Sequence, residues 1–205
     1  VSYNAREDLQ ACLSRLRDDA PRATHQTVVV DNASTDGGAD AARAYGPGVR
    51  VIDAGGNLGF ARGTNVGIAA PDSRLILLLN SDTLPPTVAI DRLIAVLDAR
   101  TDGAGAGPRL VEGAGRLEIS FGPMITPWAE AWQKTLGRAY AAGVPGLTAL
   151  VQRRARQTRL VDWVSGACLL VRRADAEAVN GLDERFFLYT EDVDFCASVR
   201  ARGRQ

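Results

Sequence analysis

Four short segments of this chain carry the residue types that chemistry on a charged ligand requires. The run Arg74-Leu-Ile-Leu-Leu-Leu-Asn-Ser-Asp-Thr83 passes from five apolar residues straight to Asn80, Ser81 and Asp82. So short an apolar run reads as a strand buried on both faces of a parallel sheet. Ligands of open α/β sheets gather outside the carboxyl ends of the strands. Asn80 and Asp82 would there offer oxygen ligands to a hard cation such as Mg²⁺ or Mn²⁺. The same residues also read as a turn before Pro85-Pro86, which start the next helix.

Val28-Val29-Val30-Asp31 repeats the pattern, and Asn32, Ser34, Thr35 and Asp36 follow in a loop of small polar side chains. Such a loop can bond a base and ribose, with Asp31 accepting from a pyrimidine ring N–H; Asp36 fits a helix cap better. Asn57 to Asn65 places Gly59, Arg62 and Gly63 at a helix start, where free N–H groups and a cation suit a diphosphate. The segment has neither the GxGxxG spacing of a dinucleotide fold nor the GxxxxGK[ST] of a phosphate loop, which argues against a dehydrogenase or an ordinary ATPase. Thr190-Glu191-Asp192-Val193-Asp194 collects three acids at a helix start, where the helix dipole already favours them. Asp192, if it faces a pocket, can take a proton from an acceptor hydroxyl. The single histidine, His25, lies in a polar loop before a strand and is not expected to act.

The elements that must position these groups alternate as a βα-repeating sheet does. Strands are expected at Val28 to Val30, Val49 to Ile52, Leu75 to Leu79 and Leu160 to Val171. Helices are expected at about 6–17, 38–45, 61–69, 86–99, 174–179 and 191–202, the last capped by Thr190. Gly103 to Pro108 reads as extended, and Val111 to Ile119 as a hairpin. Residues 121–159 break the rhythm with prolines, glycines, Trp128, Trp132 and Tyr140, and read as a partly helical insertion whose aromatics could stack on a sugar or pack in a core.

At 205 residues and 46% hydrophobic content, the chain suits one α/β domain with a substantial core. The βα alternation runs to about residue 110, which divides the domain into 1–110 and 111–205. Lys+Arg and Asp+Glu balance at 24 each, so net charge gives no argument for nucleic acid. Arg153, Arg154, Arg156 and Arg159 form a local cluster that reads as a solvated face or a contact for phosphates or an anionic membrane surface. The three cysteines, Cys12, Cys168 and Cys196, are far apart and sit in apolar patterns, as expected in a reducing compartment without structural zinc. Val1 in place of Met, and a last helix reaching Arg204-Gln205 without a stop signal, read as a piece cut at both ends.

The segments VVVDNASTDGG, NLGFARGTNVGI, LLLNSDT, SGACLLVRR and GLDERFFLYTEDVDFCASVRARG, in that order, resemble the family 2 nucleotide-sugar glycosyltransferases of the GT-A fold, and within it the bacterial rhamnosyltransferase-like branch. The resemblance implies a Rossmann-like α/β fold, a mainly parallel sheet flanked by helices, with 1–110 as its nucleotide-binding half and 111–205 as its acceptor half. It implies nucleotide contacts from Ser2, Tyr3, Asn4, Asp31, Asn32, Ser34, Asn57, Gly59, Arg62, Asn65, Asn80 and Ser81, and Mg²⁺ or Mn²⁺ on Asp82. Asn80 stands where the family motif has Asp. Asp192, with Glu191 beside it, would be the general base, and Trp163, Ser165, Gly166 and Ala167 would meet the acceptor. The donor would be a dTDP- or UDP-linked sugar and the acceptor a glycan or lipid-linked molecule at the cytoplasmic face of the membrane. The Gln-x-x-Arg-Trp signature of processive synthases is absent, which favours inverting transfer of one sugar. A sugar nucleotidyltransferase and a non-catalytic nucleotide-sugar-binding domain are the rival readings.

Overall fold

Local sequence sets the first half directly. In the computed structural model, which describes residues 1–70, 72–113, 117–118, 120–124, 135, 138, 146, 153 and 156–205, helix α1 (Arg6–Asp18) is followed by β1 (Thr27–Asp31), α2 (Gly38–Arg43), β2 (Val49–Asp53), α3 (Gly59–Ala69), β3 (Leu75–Leu79) and α4 (Thr87–Asp98). These bounds lie within about two residues of the expected ones, as periodicity allows. Trp128, Trp132, Tyr140 and Arg154 lie outside the described residues, as do Ala114 and Gly115 of the hairpin turn. The hairpin's two arms do meet, in an antiparallel bridge between Val111 and Leu117.

The second half contributes β4 (Gly105–Ala106), β5 (Phe121–Gly122), β6 (Trp163–Val164), β7 (Cys168–Arg172), α5 (Arg173–Ala178) and α6 (Glu191–Ala201). The run expected as one strand over Leu160 to Val171 is two strands, β6 and β7, parted by a turn at Gly166-Ala167. That turn sits at the carboxyl end of β3, where Asn80 donates its N–H to Ala167 O at 3.0 Å. A strand leaving that turn must run back along β3, and β7 pairs antiparallel with it in the register Leu77↔Leu170. β4 pairs antiparallel with the other edge of β7. The parallel pairing expected from the βα alternation is found between β1 and β2, which Ser2 extends through a parallel bridge to Asp31.

Burial on both faces belongs to β7 and only partly to β3. Leu169 and Val171 pack with Ile68, Leu78, Leu182, Phe195 and Val199 on one side, while Cys168 and Leu170 pack with Leu93 and Leu97 of α4 on the other. This alternation is the two-residue period of a strand. Within β3 only Leu78 is fully buried. The reason is edge geometry: among the described residues β3 pairs only with β7, and its other edge faces β1 across a cavity of about 420 Å³ lined by Val28, Val30, Leu75 and Leu79. A separate cluster of Leu9, Leu13, Val29 and Ala42 seats α1 and α2 on β1. Each fully buried leucine, such as Leu97 or Leu182, contributes about 1.5–3 kcal/mol.

Candidate active site

The carboxyl ends of β1 and β3 present buried polar atoms that the protein itself leaves unpaired. Among the described residues, Ser2 Oγ, Asp31 Oδ1, Asn32 Oδ1 and Asn80 Oδ1 have no hydrogen-bond partner. Ser2, Asp31 and Asn32 are each no more than 5% exposed. Buried polar atoms are nearly always paired, and hydrogen bonds from a polar ligand would satisfy these. The rest of each side chain is held. Asp31 Oδ2 accepts from Ser34 N–H at 3.1 Å, and Asn32 Nδ2 donates to Gly59 O at 2.9 Å. Asn4, with φ +48, crosses to the same loop: its N–H donates to Ser34 Oγ and its Oδ1 accepts from Thr35 N–H. Tyr3 beside it is 52% exposed, a free ring at the rim. Asp36 is a structural latch, as its capping reading implies: it accepts from Gly38 N–H and Arg6 N–H, and these bonds, the Gly38 one foremost, hold its carboxyl below the ordinary range.

At β3 the turn reading of Asn80 to Thr83 holds. Thr83 N–H returns to Asn80 O at 3.1 Å, closing a turn, and Thr83 Oγ1 donates to Ala167 O at 3.2 Å. Asp82 is left exposed. Among the described residues no group of three His, Cys, Asp or Glu is placed to hold a metal. Asp82 and the orphaned Asn80 oxygen nevertheless suit Mg²⁺, which takes one or two protein oxygens and completes its shell from phosphates and water.

The turn that receives Asn80 also receives Asp192. Gly166 N–H donates to Asp192 Oδ2 at 2.9 Å, and Val193 N–H donates to Oδ1 at 2.8 Å. Ser165 is tied to Ser120 O through its N–H and accepts from Ala167 N–H on Oγ. Trp163 donates its indole N–H to Pro123 O at 2.9 Å. Glu191 points the other way: it is 5% exposed, its Oε2 lacks a partner, and burial, reinforced by the Asp192 charge, raises its pKa. Thr190 does not cap α6 as expected. Its φ of +76 is far from the extended backbone of a capping residue, and its side chain makes no cap bond.

The start of α3 is less free than its glycines suggest. Gly59 N–H is taken by Asn57 Oδ1 at 3.1 Å and Phe60 N–H by Phe187 O at 2.7 Å. Arg62 pairs with Glu184 at 3.0 Å, and Asn65 bonds Leu182 and Glu184. The Arg62 and Asn65 bonds, in that order, hold the Glu184 carboxyl below its ordinary range. Glu184 and Phe187 were not foreseen as partners of this helix. The signal available was Gly181, whose φ of +73 permits the close approach of Asn65.

A parallel βα half joined to an antiparallel strand, with polar strand ends on one edge, is the GT-A type of nucleotide-sugar transferase fold. Solved structures agree: the mannosyltransferase PcManGT of Pyrobaculum calidifontis, in complex with GDP-Man and Mn²⁺, superposes with a TM-score of 0.69 over 100% of this chain and 51% of that one, at 15% identity. Glucosyl-3-phosphoglycerate synthase of Mycobacterium tuberculosis, with Mn²⁺ and UDP, does so at 0.60 over 98% of this chain and 63% of that one, also at 15% identity. Residues 1–148 match the profile Glycosyl transferase family 2, and the chain belongs to that family. It is 34% identical to N-acetylglucosaminyl-diphospho-decaprenol L-rhamnosyltransferase of Mycobacterium tuberculosis over 95% of its length. It is 28% identical to the low-salt glycan biosynthesis hexosyltransferase Agl10 of Haloferax volcanii over 98%. The chain spans 66% and 60% of the lengths of these two relatives.

Proposed function

We propose that this chain transfers one sugar, with inversion, from a nucleotide-diphosphate sugar to an acceptor hydroxyl in the assembly of a cell-envelope glycan. The observation that carries this reading is the meeting of the Asn80 to Asp82 loop and Asp192 on one turn, through Ala167 O and Gly166 N–H. The loop carrying the donor-side acid and the acceptor-side acid itself are thereby held by the same two residues, Gly166 and Ala167. Ser2, Asp31 and Asn32 bind the base and ribose through their unpaired oxygens. Asp192, its two oxygens oriented by backbone N–H groups, takes the acceptor proton as that oxygen bonds to the anomeric carbon and the nucleoside diphosphate departs. Mg²⁺ or Mn²⁺, held by Asp82 with Asn80 beside it, would neutralise charge on the leaving diphosphate.

The rhamnosyltransferase likeness favours a dTDP-rhamnose donor over a UDP-sugar, and that relative's diphospho-decaprenol acceptor favours a lipid-linked acceptor over a free glycan. A lipid-linked acceptor places the reaction at the cytoplasmic face of a membrane; among the described residues no helix is long and apolar enough to cross one. Thermal stabilisation by a panel of dTDP-, UDP- and GDP-sugars, with and without Mn²⁺, followed by a transfer assay, tests the reading. Stabilisation by a nucleotide sugar together with transfer supports it. No response to any nucleotide removes it, and binding without transfer by the intact protein leaves a binding domain.

A further inference from the structure

We infer that Asn65 is a positioning residue that ties the 181–187 loop to α3 and so sets the segment carrying Asp192 against the nucleotide half of the sheet. This rests on the role proposed above for Asp192. The side-chain amide of Asn65 is fully engaged on that loop. Its Nδ2 donates to Leu182 O at 2.8 Å and to Glu184 Oε1 at 3.2 Å, and its Oδ1 accepts from Leu182 N–H at 2.9 Å. An amide that exchanges both bonds with one residue's main chain acts as a strand neighbour would, and has no donor left for a nucleotide.

Three further contacts extend the seam along α3. Arg62 holds the second oxygen of Glu184, Phe60 N–H holds Phe187 O, and Gly59 lies so near Phe187 that an added Cβ would sit 2.5 Å from its carbonyl oxygen. Leu182, 2% exposed, anchors the loop in the core beneath. Beyond Phe187 the chain turns outward: Leu188 and Tyr189 are 51% and 76% exposed, and Tyr189 and Thr190 both adopt left-handed backbone, φ +71 and +76. Non-glycine residues keep that conformation only where flanking structure holds them. One flank is the seam on α3, and the other is the Asp192 to Gly166 bond.

The test is Asn65→Asp, which keeps the side-chain shape, removes both donors and sets a carboxylate against Glu184. The expected result is a transfer kcat lowered roughly tenfold or more, nucleoside diphosphate Kd unchanged, and faster amide exchange over residues 182–190 but not 27–31. Adding Glu184→Gln, whose amide can donate to the new carboxylate, is expected to recover part of both losses. A parallel loss of nucleotide affinity would overturn the inference, because Asn65 would then touch the donor. Unchanged exchange over 182–190 overturns it as well. Exchange is read whether or not sugar is transferred, so failure of the transferase reading shows separately, as a wild-type chain that transfers nothing. If Asn65→Asp does not fold, Glu184→Gln alone, on an exposed side chain, should still speed exchange over 182–190, and no change there sinks the idea.

Discussion

The main-chain N–H of Gly166 lies 2.9 Å from Asp192 Oδ2, so the acid heading α6 is aimed by a backbone atom of the turn that also receives Asn80. A carboxylate fixed by two backbone donors loses little entropy when it meets an acceptor hydroxyl. Replacing it tests the chemistry with small disturbance of shape. In the intact protein, Asp192→Asn should lower the transfer rate about 10²–10⁴-fold while the nucleotide Kd measured by calorimetry stays the same. Undiminished turnover would remove the assignment.

Asp82 is exposed in the turn after β3, and its proposed role as the metal-holding acid has a separate readout. Calorimetry of the nucleoside diphosphate with Mn²⁺ and with excess chelator should show an affinity gain on adding metal in the wild type. In Asp82→Ala that gain should vanish and the metal-free affinity should remain. A metal-dependent gain that survives the substitution places the ion elsewhere.

Gly59 combines φ +80 with the approach of Phe187, while Gly55 has φ +71 and open space around it. Alanine at Gly55 should cost only the backbone term, about 1–2 kcal/mol. Alanine at Gly59 adds a collision with the Phe187 carbonyl and ring and should cost about 2–3 kcal/mol more. Thermal melts should place Gly59→Ala below Gly55→Ala by roughly 5–10 °C. Equal melting points would show that the loop yields freely.

Glu191 gives a pH signature of definite sign. Burial raises its folded pKa above the ordinary 4.5, so between those two values the folded state binds more protons than the unfolded one. Stability must therefore fall as pH rises through that window. The stability difference between Glu191→Gln and wild type, from denaturant unfolding, should be constant below pH 4.5 and shift in favour of the variant as pH rises above it. A difference independent of pH would show that Glu191 titrates as it does in the unfolded chain.

Much of this was legible in the residues because it is local. The drop from Leu79 to Asn80 and from Val30 to Asp31 marks strand ends wherever the strands go, and Asn180-Gly181 closes α5 with both residues at positive φ. Asp36 behaves as a cap because its partners are near in sequence or held by the adjacent α1. Less local properties were not legible. Arg62 reads as a diphosphate contact from its helix start, and Asn65 as a nucleotide contact from the family resemblance, yet their partners, Glu184 and Leu182, are 122 and 117 residues away. Thr190 has the composition of a cap, but the loop before it imposes a backbone that swings its side chain from the helix N–H groups.

The amino-acid order by itself determined the βα alternation, the polar strand ends and the family, because each follows from short-range periodicity, turn chemistry or an ordered set of motifs. Only the tertiary structure decided that β7 runs antiparallel beside β3, that β7 is the strand buried on both faces, and that Gly166-Ala167 joins the Asn80 loop to Asp192. Those outcomes depend on which edges remain unpaired once the helices have packed, and pairing between distant segments is chosen by the whole core.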